Sequence, residues 1–218
     1  MSAESGLKTF RDMDGLWENY SIEEVATPEG WHKNPQLVLD FYNQRRKQLM
    51  EAQPNAGHMG LVELEKHFGV FIVTQNVDNL HERAGSSNVL HLHGELMKVR
   101  STVDESLIYN LDHWQVNWGD RCEKGSQLRP HIVWFGEAVP AMDQAIGIVS
   151  MADILVVIGT SLNVYPAAGL LNYAAKNVPI FLIDPGQPAY SPSSTLTHIK
   201  EPATKGVQIL VDKLISQQ

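Results

Sequence analysis

The stretch "DILVVIGTS", residues 153–161, places five apolar residues in a row and closes them with Gly159, Thr160 and Ser161. A continuous β-branched and aliphatic run has no face left for water, so it predicts a strand buried on both sides, as in parallel sheets. Working outward, the pattern returns. The helical segment "AAGLLNYAAK" (167–176) leads to a second apolar run, "VPIFLID" (178–184). Upstream, "MDQAIGIVSMA" (142–152) reads as a helix, and "HIVWFG" (131–136) and "GVFIVT" (69–74) read as further strands. This alternation predicts an α/β fold, a doubly wound parallel sheet with helices on both faces. Such sheets bind ligands beyond the carboxyl ends of their strands. "TQN", "FGE" and "GTSL" all fall there.

Between Pro35 and Ala52, Leu37, Val38, Phe41, Tyr42, Arg45 and Leu49 recur at three- and four-residue spacing. That is an amphipathic helix with Tyr42 and Arg45 on one face. A second helix is expected to start near Pro54 as its first residue and to end by Phe68 and Gly69. Residues 97–129 break the rhythm and read as a small inserted module.

The 218 residues suffice for one sizeable domain, and 43% hydrophobic with 19% charged residues describes a globular chain. A net charge of −8 argues against binding phosphate backbones, so no nucleic acid partner is expected. No apolar run reaches the ~20 residues of a membrane span, and no signal peptide is legible, so the expectation is a cytoplasmic protein without a membrane partner. Cys122 is the single cysteine. It allows neither an intramolecular disulfide nor a zinc site of several thiolates.

The polar residues cluster in "TQNVDNLHERAGSSNVLHLHGEL", residues 74–96. A neutral imidazole, with an ordinary pKa of about 6.5, suits a general base. In an extended segment His91 and His93 point the same way, so spacing does not choose between them. Asn76 and Asp78 can equally end a strand and cap the following helix. Gly159, Thr160 and Ser161 suit phosphate and ribose contacts near a helix start. An arginine and a phenol on one helix face could clamp a carboxylate, or the pair could be a solvated face in the basic run "RRK". Val133 and Phe135 read equally as plain core.

Taken together, "SAESGLKTFRD", "DGLWENY", "ATPEGW", "FYNQRR", "PNAGH", "TQNVDNLHERAG", "LHGEL", "LRPHIVWFGE" and "VIGTSLNVYPAAGL" resemble the sirtuins, the NAD-dependent protein-lysine deacylases. They stand in family order over nearly the whole chain. The resemblance implies one catalytic domain over 1–218, with small-module insertions at about 16–52, helical and forming an acyl pocket, and at 97–129. It implies NAD and an acyl-lysine protein or peptide meeting in a cleft, with nicotinamide and 2′-O-acyl-ADP-ribose as products.

By the same resemblance His93 is the catalytic base, Gln75 and Asn76 face the nicotinamide ribose, and Asp78 faces the nicotinamide amide. Gly159, Thr160 and Ser161 contact phosphate and ribose. Asp184 stands where the family usually has asparagine near the adenine ribose, and Ala203 matches loosely a small residue near the adenine. Phe10 and Arg11 belong to the loop covering NAD, and Ser2 and Ala3 to the cofactor-binding turn. Val133, Phe135 and Gly136 would line the lysine channel or peptide groove, with "IVWFGE" offering backbone to an added strand. Tyr42 and Arg45 resemble the subgroup that removes succinyl, malonyl or glutaryl groups.

Two departures stand out. The family's zinc-binding Cys-x-x-Cys pairs fall here on Ser101 and Asp104 and around Arg121 to Lys124, so no structural zinc is expected. Packing of Leu107, Tyr109, Trp114 and Trp118 is the expected substitute. The family's first apolar strand and its "GAG" turn are also missing, Ser2 aligning with the serine after them. This is expected to leave unpaired backbone and an apolar slot inside the sheet and to weaken NAD binding. The simplest account is that Met1 is an internal methionine of a longer reading frame. The rival functions are NAD glycohydrolysis or ADP-ribosyl transfer, and a non-catalytic module binding NAD or acyl-lysine.

Overall fold

The computed structural model describes residues 1–8, 16–17, 20–160, 165–186 and 195–216. Phe10, Arg11 and Ser161 lie outside the described residues. A 3-10 helix, Ser2–Ser5, opens the chain, and a two-residue ladder pairs β1 (Leu16–Trp17) with β2 (Tyr20–Ser21). Three helices follow, α1 (Ile22–Val25), α2 (Pro28–Lys33) and α3 (Pro35–Glu51). Each of α2 and α3 starts with proline behind a capping side chain, Thr27 accepting from the Gly30 N–H and Asn34 from the Leu37 N–H. Helix α3 buries Val38, Leu39, Phe41, Tyr42 and Leu49, and with them Arg45.

The next helix, α4 (Ala56–Leu64), differs from expectation. Asn55, not Pro54, sets its start: the Asn55 amide oxygen accepts from the N–H groups of Gly57 and His58. A side-chain acceptor satisfies orphan donors, which proline at that place cannot do. The helix stops at Leu64, short of Phe68, and a turn over 65–67 joins the two.

Strand β3 (Ile72–Thr74) then pairs parallel with β4 (Val89–His91) across α5 (Leu80–Ala84). After the small module comes α6 (Met142–Ser150), and β8 (Leu155–Ile158) pairs parallel with β9 (Ile180–Ile183), a 3-10 helix at Ala167–Tyr173 lying between them. Two elements had no reading in the sequence, β10 (Leu196–Ile199), parallel to β9, and α7 (Ala203–Ile215). Helices α4 and α7 cover one face with Leu61, Leu64, Val207, Leu210 and Leu214, and α6 and the second 3-10 helix cover the other with Ala145, Val149, Ala167 and Leu170. The doubly wound α/β character holds, but the parallel sheet comes in two pieces, β3–β4 and β10–β9–β8.

Strands β3 and β8 each end their piece, and both line one cleft of about 1580 Å³. Side chains alternate to opposite faces: Ile72, Val156 and Ile158 join the α4–α7 cluster, whereas Val73 and Leu155 join the α6 cluster. All four residues of β8 are only half-buried, which a strand paired and covered on both sides would not be. The apolar slot expected from the sequence is therefore present. Met1 lies at its mouth, where β8 ends: Gly159 has φ +58°, and a Cβ there would come to 2.8 Å from the Met1 nitrogen.

The small module is an antiparallel sheet, ordered β6 (Ile108–Asn110), β5 (Gly94–Ser101), β7 (Leu128–Ile132). This corrects the reading of "HIVWFG" as a strand of the parallel sheet, since β7 pairs antiparallel with β5 and its ladder ends at Ile132. Of the packing expected in place of zinc, Tyr109 packs against the core, whereas Trp114 and Trp118 are 36% and 57% exposed and do not. Polar contacts hold the module instead. Ser101 Oγ, Ser126 Oγ and Cys122 Sγ form a hydrogen-bonded cluster, with Ser101 to Ser126 at 2.8 Å. The Lys124 ammonium meets Asp104 at 2.6 Å, and Tyr109 donates to Glu123 at 2.7 Å. Buried Asn43 of α3 grips the backbone of Val116 at both its N–H and its carbonyl.

One thiol among hydroxyls and an ion pair does not fit the four thiolates of a tetrahedral zinc site. Among the described residues no group of three or more His, Cys, Asp or Glu could hold a metal. Treatment with a strong chelator is expected to leave the melting temperature of the chain within about 1 °C, as structural zinc sites would lose far more. Differential scanning calorimetry with and without chelator checks it.

Candidate active site

The carboxyl end of β3 runs straight into Gln75, Asn76 and Asp78, and His93 sits in the two-residue turn between β4 and β5. All four line the cleft, together with Ser2, Ala3, Tyr42, Arg45, Val133, Phe135, Gly136, Gly159, Thr160 and Asp184. The fold thus gathers these residues from the first helix, α3, both parallel pieces and the segment after β7. Ala203 is the exception. It is buried at the start of α7, and its N–H donates to Glu4 Oε1 at 2.9 Å, so it does not face the cleft.

His91 and His93 reach consecutive carbonyls of the same strand end, His91 that of Asn76 and His93 that of Gln75. A carbonyl only accepts, so each Nδ1 carries a proton there. For His93 this leaves the Nε2 lone pair for another proton, which is the state a general base needs. Burial draws the His93 pKa below its ordinary value, against a smaller opposing pull from the Gln75 carbonyl, so the ring stays neutral. His91 differs: its Nε2 lies 2.7 Å from Glu82 Oε1, and it does not line the cleft. Tertiary contacts thus separate two histidines that the spacing left equivalent. Gly94 has φ +81°, and a Cβ there would collide with the His131 carbonyl oxygen, so only glycine lets β5 start directly behind His93.

Asn76 is fixed through its N–H, which donates to Thr74 Oγ1 at 3.0 Å, and its side chain, which donates to buried Ser2 Oγ at 2.8 Å. Asp78, 6% exposed, accepts from the Leu80 N–H at 3.2 Å, so it supports the start of α5 while lining the cleft. The contact with Leu80 leaves Asp78 on the cleft wall. Asp184, past the end of β9, turns its Oδ1 to the Gly186 N–H at 2.8 Å.

On the far wall the Tyr42 hydroxyl accepts from Trp134 Nε1 at 3.0 Å. Burial, only partly offset by that bond and the neighbouring arginines, pushes Tyr42 up to about 12, so its own proton stays available to donate. Arg45 donates to the Lys8 carbonyl at 3.4 Å from both terminal nitrogens. Trp134 and the cluster behind it were not singled out from the sequence. The Arg129 guanidinium stacks 3.4 Å over the Trp134 ring and pairs with Glu137, which also accepts from the Trp134 N–H. "WFGE" carried the signal, but no spacing rule ties Trp134 to Tyr42. The N–H groups of Val133, Trp134 and Phe135 donate to His93, Glu137 and Ala26 within the protein.

The Sir2 family's sequence pattern matches residues 1–166. The chain belongs to the Sir2 family. Among curated relatives, an NAD-dependent protein deacylase of Helicobacter pylori is 57% identical over 216 residues, covering 99% of this chain and 93% of that protein. One from Bacteroides thetaiotaomicron, also an NAD-dependent protein deacylase, is 54% identical over 221 residues, covering 99% and 94%. In structure, the chain is similar to a Sir2 homolog–NAD complex with a TM-score of 0.89 at 39% identity, over 99% of this chain and 86% of that one. A Sir2 complex with a deacetylated p53 peptide and 3′-O-acetyl ADP ribose gives a TM-score of 0.82 at 27% identity, over 97% and 89%.

The residues present fit NAD. Hydroxyls, amides and carboxylates from Ser2, Gln75, Asn76, Asp78, Thr160 and Asp184 converge on one cleft at the carboxyl ends of parallel strands.

Proposed function

We propose that this Sir2 chain is an NAD-dependent protein-lysine deacylase acting preferentially on short acyl groups that end in a carboxylate. The observation that carries the deacylase reading is the His93 imidazole, its Nδ1 fixed on Gln75 and its Nε2 unengaged, in the same cleft as Asn76, Asp78 and the α3 wall. NAD, when bound, supplies the ribose carbon that takes the acyl oxygen and the nicotinamide that leaves. Asn76 and Asp78 orient that end of the ligand, Ser2, Thr160 and Asp184 hold the remainder, and His93 Nε2 accepts the proton of a ribose hydroxyl. Val133, Phe135 and Gly136 border the channel for the acyl-lysine.

The acidic preference rests on Tyr42 and Arg45. Both line the cleft from one face of α3, one as a phenol with its proton free to give, the other as a guanidinium. A distal carboxylate would receive charge-assisted bonds from both, and an acetyl methyl would receive none. Hydrogen bonds to charged groups contribute about 1.5–3 kcal/mol. Arg45→Met is therefore expected to lower kcat/KM for a succinyl-lysine peptide by roughly 10- to 100-fold while changing that for the acetyl peptide by less than about threefold. Mass spectrometry of matched peptides reads both. Equal losses on the two peptides would remove the acidic preference. Nicotinamide release that ignores the acyl-peptide would instead favour an NAD glycohydrolase.

A further inference from the structure

Behind the residues that face the cleft lies an ion pair that reaches it only through the backbone. The His91 side chain is 6% exposed, with Nε2 at 2.7 Å from Glu82 Oε1 and Nδ1 at 2.9 Å from the Asn76 carbonyl oxygen. An ionised carboxylate and a carbonyl both only accept, so the ring carries a proton on each nitrogen. Burial pulls the His91 pKa down, but the Glu82 bond, the Asn76 carbonyl and the charges of Glu82 and Glu95 outweigh it and raise the value.

Three elements meet in this contact. Glu82 comes from α5, His91 from the end of β4, and Asn76 from the segment that leaves β3. Thr74 Oγ1 accepts from the Asn76 N–H and Ser2 Oγ from its side-chain NH2, and His91 supplies the contact at its carbonyl. The preceding carbonyl, that of Gln75, takes the Nδ1–H of His93 at 3.2 Å. Any shift of the short segment between residues 75 and 76 would turn the Asn76 amide and release the His93 ring together.

We infer that Glu82 and His91 are a positioning pair for the reaction, holding the Gln75–Asn76 backbone so that the Asn76 amide and the His93 imidazole keep their aim into the cleft. The inference rests on the deacylase reading for its effect on turnover and on the NAD fit for its effect on binding. Neither residue touches a ligand, so neither is itself catalytic.

The test uses the full chain with His91→Ala, Glu82→Gln and Glu82→Ala, each checked for a cooperative melt. NAD affinity is measured by calorimetry, and kcat and KM with an acyl-lysine peptide. His91→Ala is expected to weaken NAD binding and to lower kcat, each by about 10- to 100-fold, as a displacement near 1 Å does, with the peptide KM within about twofold. Glu82→Gln is expected to keep both within about threefold, because its amide can donate to a neutral Nε2 while Nδ1–H still reaches Asn76. A folded His91→Ala chain with wild-type NAD affinity and kcat overturns the inference. So does a parallel loss in His91→Ala and Glu82→Gln that includes the peptide KM, which would make the pair a general stabiliser.

If His91→Ala does not fold, Glu82→Ala decides, and unchanged NAD affinity and kcat in it overturn the pair. A wild-type chain that binds NAD without deacylating refutes the deacylase reading alone, and the NAD affinities of the variants still decide this one. A wild-type chain that does not bind NAD overturns both.

Discussion

Replacing His93 with alanine is expected to lower NAD-dependent deacylation by about 10²- to 10⁴-fold, the range removed with a positioned general base, while leaving the melting temperature nearly unchanged. The ring makes one hydrogen bond, to the Gln75 carbonyl, so its loss leaves little buried and unsatisfied. Its chemistry has no substitute nearby. His91, two residues earlier at the end of β4, has both nitrogens engaged by Glu82 and Asn76. His81 also lines the cleft, but it is 4% exposed and packs edge-on against His58 with ring centroids 4.9 Å apart.

The pH dependence has a definite sign. Burial holds the His93 pKa below its ordinary value, against a smaller opposing effect of the Gln75 carbonyl. A general base works deprotonated, so kcat/KM is expected to rise with pH as His93 loses its proton, with the acid limb centred below about 6.5. Single-turnover and steady-state assays of wild type and His93→Ala across pH check both statements. An acid limb above that value, or one that persists in the variant, would assign the base to another group.

The second large effect concerns the slot between β3 and β8. A chain with an apolar, β-branched segment of about six residues joined ahead of Met1 is expected to melt about 10 °C higher than the unextended chain. Each strand edge presents a row of backbone donors and acceptors that a parallel strand could pair with. Net gains of about 1 kcal/mol per hydrogen bond along two edges amount to roughly 5 kcal/mol, and each kcal/mol moves the melting temperature of a chain this size by about 2–4 °C. Alternate side chains of the added strand would meet Leu61, Leu64 and Leu214 on one face and Val149 and Leu170 on the other.

Direction is set by the position of Met1 beside Gly159, at the carboxyl end of β8. A segment leading into Met1 would therefore run parallel to β3 and β8. The control is the same segment with its inward residues changed to aspartate, which would have to bury unpaired charge. Calorimetric melts of the three chains are the measurement. Equal melting temperatures for all three would show that the slot does not accept a strand.

Much of this was legible without coordinates. Unbroken apolar runs such as "ILVVI" and "IFLI", bounded by turn residues, predicted buried strands, and the three- and four-residue spacing of α3 named Val38, Phe41, Tyr42, Arg45 and Leu49 as inward but not the buried Leu39, Asn43 and Arg46. The motif order placed the chain among the sirtuins, with "TQN" at a strand end and Asp78 and His93 named by the same resemblance. These readings depend on burial pattern and on contacts local in sequence, which a linear string records directly.

Other features depended on partners far apart in the chain. The cap on α4 fell to Asn55 because its amide could reach two N–H groups, a choice the neighbouring proline concealed. "HIVWFG" has the composition of a parallel strand, yet β5 was the edge available to it, so β7 pairs antiparallel. Trp134 Nε1 meets Tyr42 across 92 residues, Asn76 meets Ser2 across 74, and Glu82 takes the second nitrogen of His91. The sequence by itself determined the layered α/β plan, the family and the residue types at the cleft. Only the tertiary structure decided which histidine keeps a free lone pair and what holds the module that lacks zinc ligands. Hydrophobic periodicity specifies how deep a residue lies, whereas the partner of a buried polar atom is whichever group the packing of distant elements brings within hydrogen-bond reach.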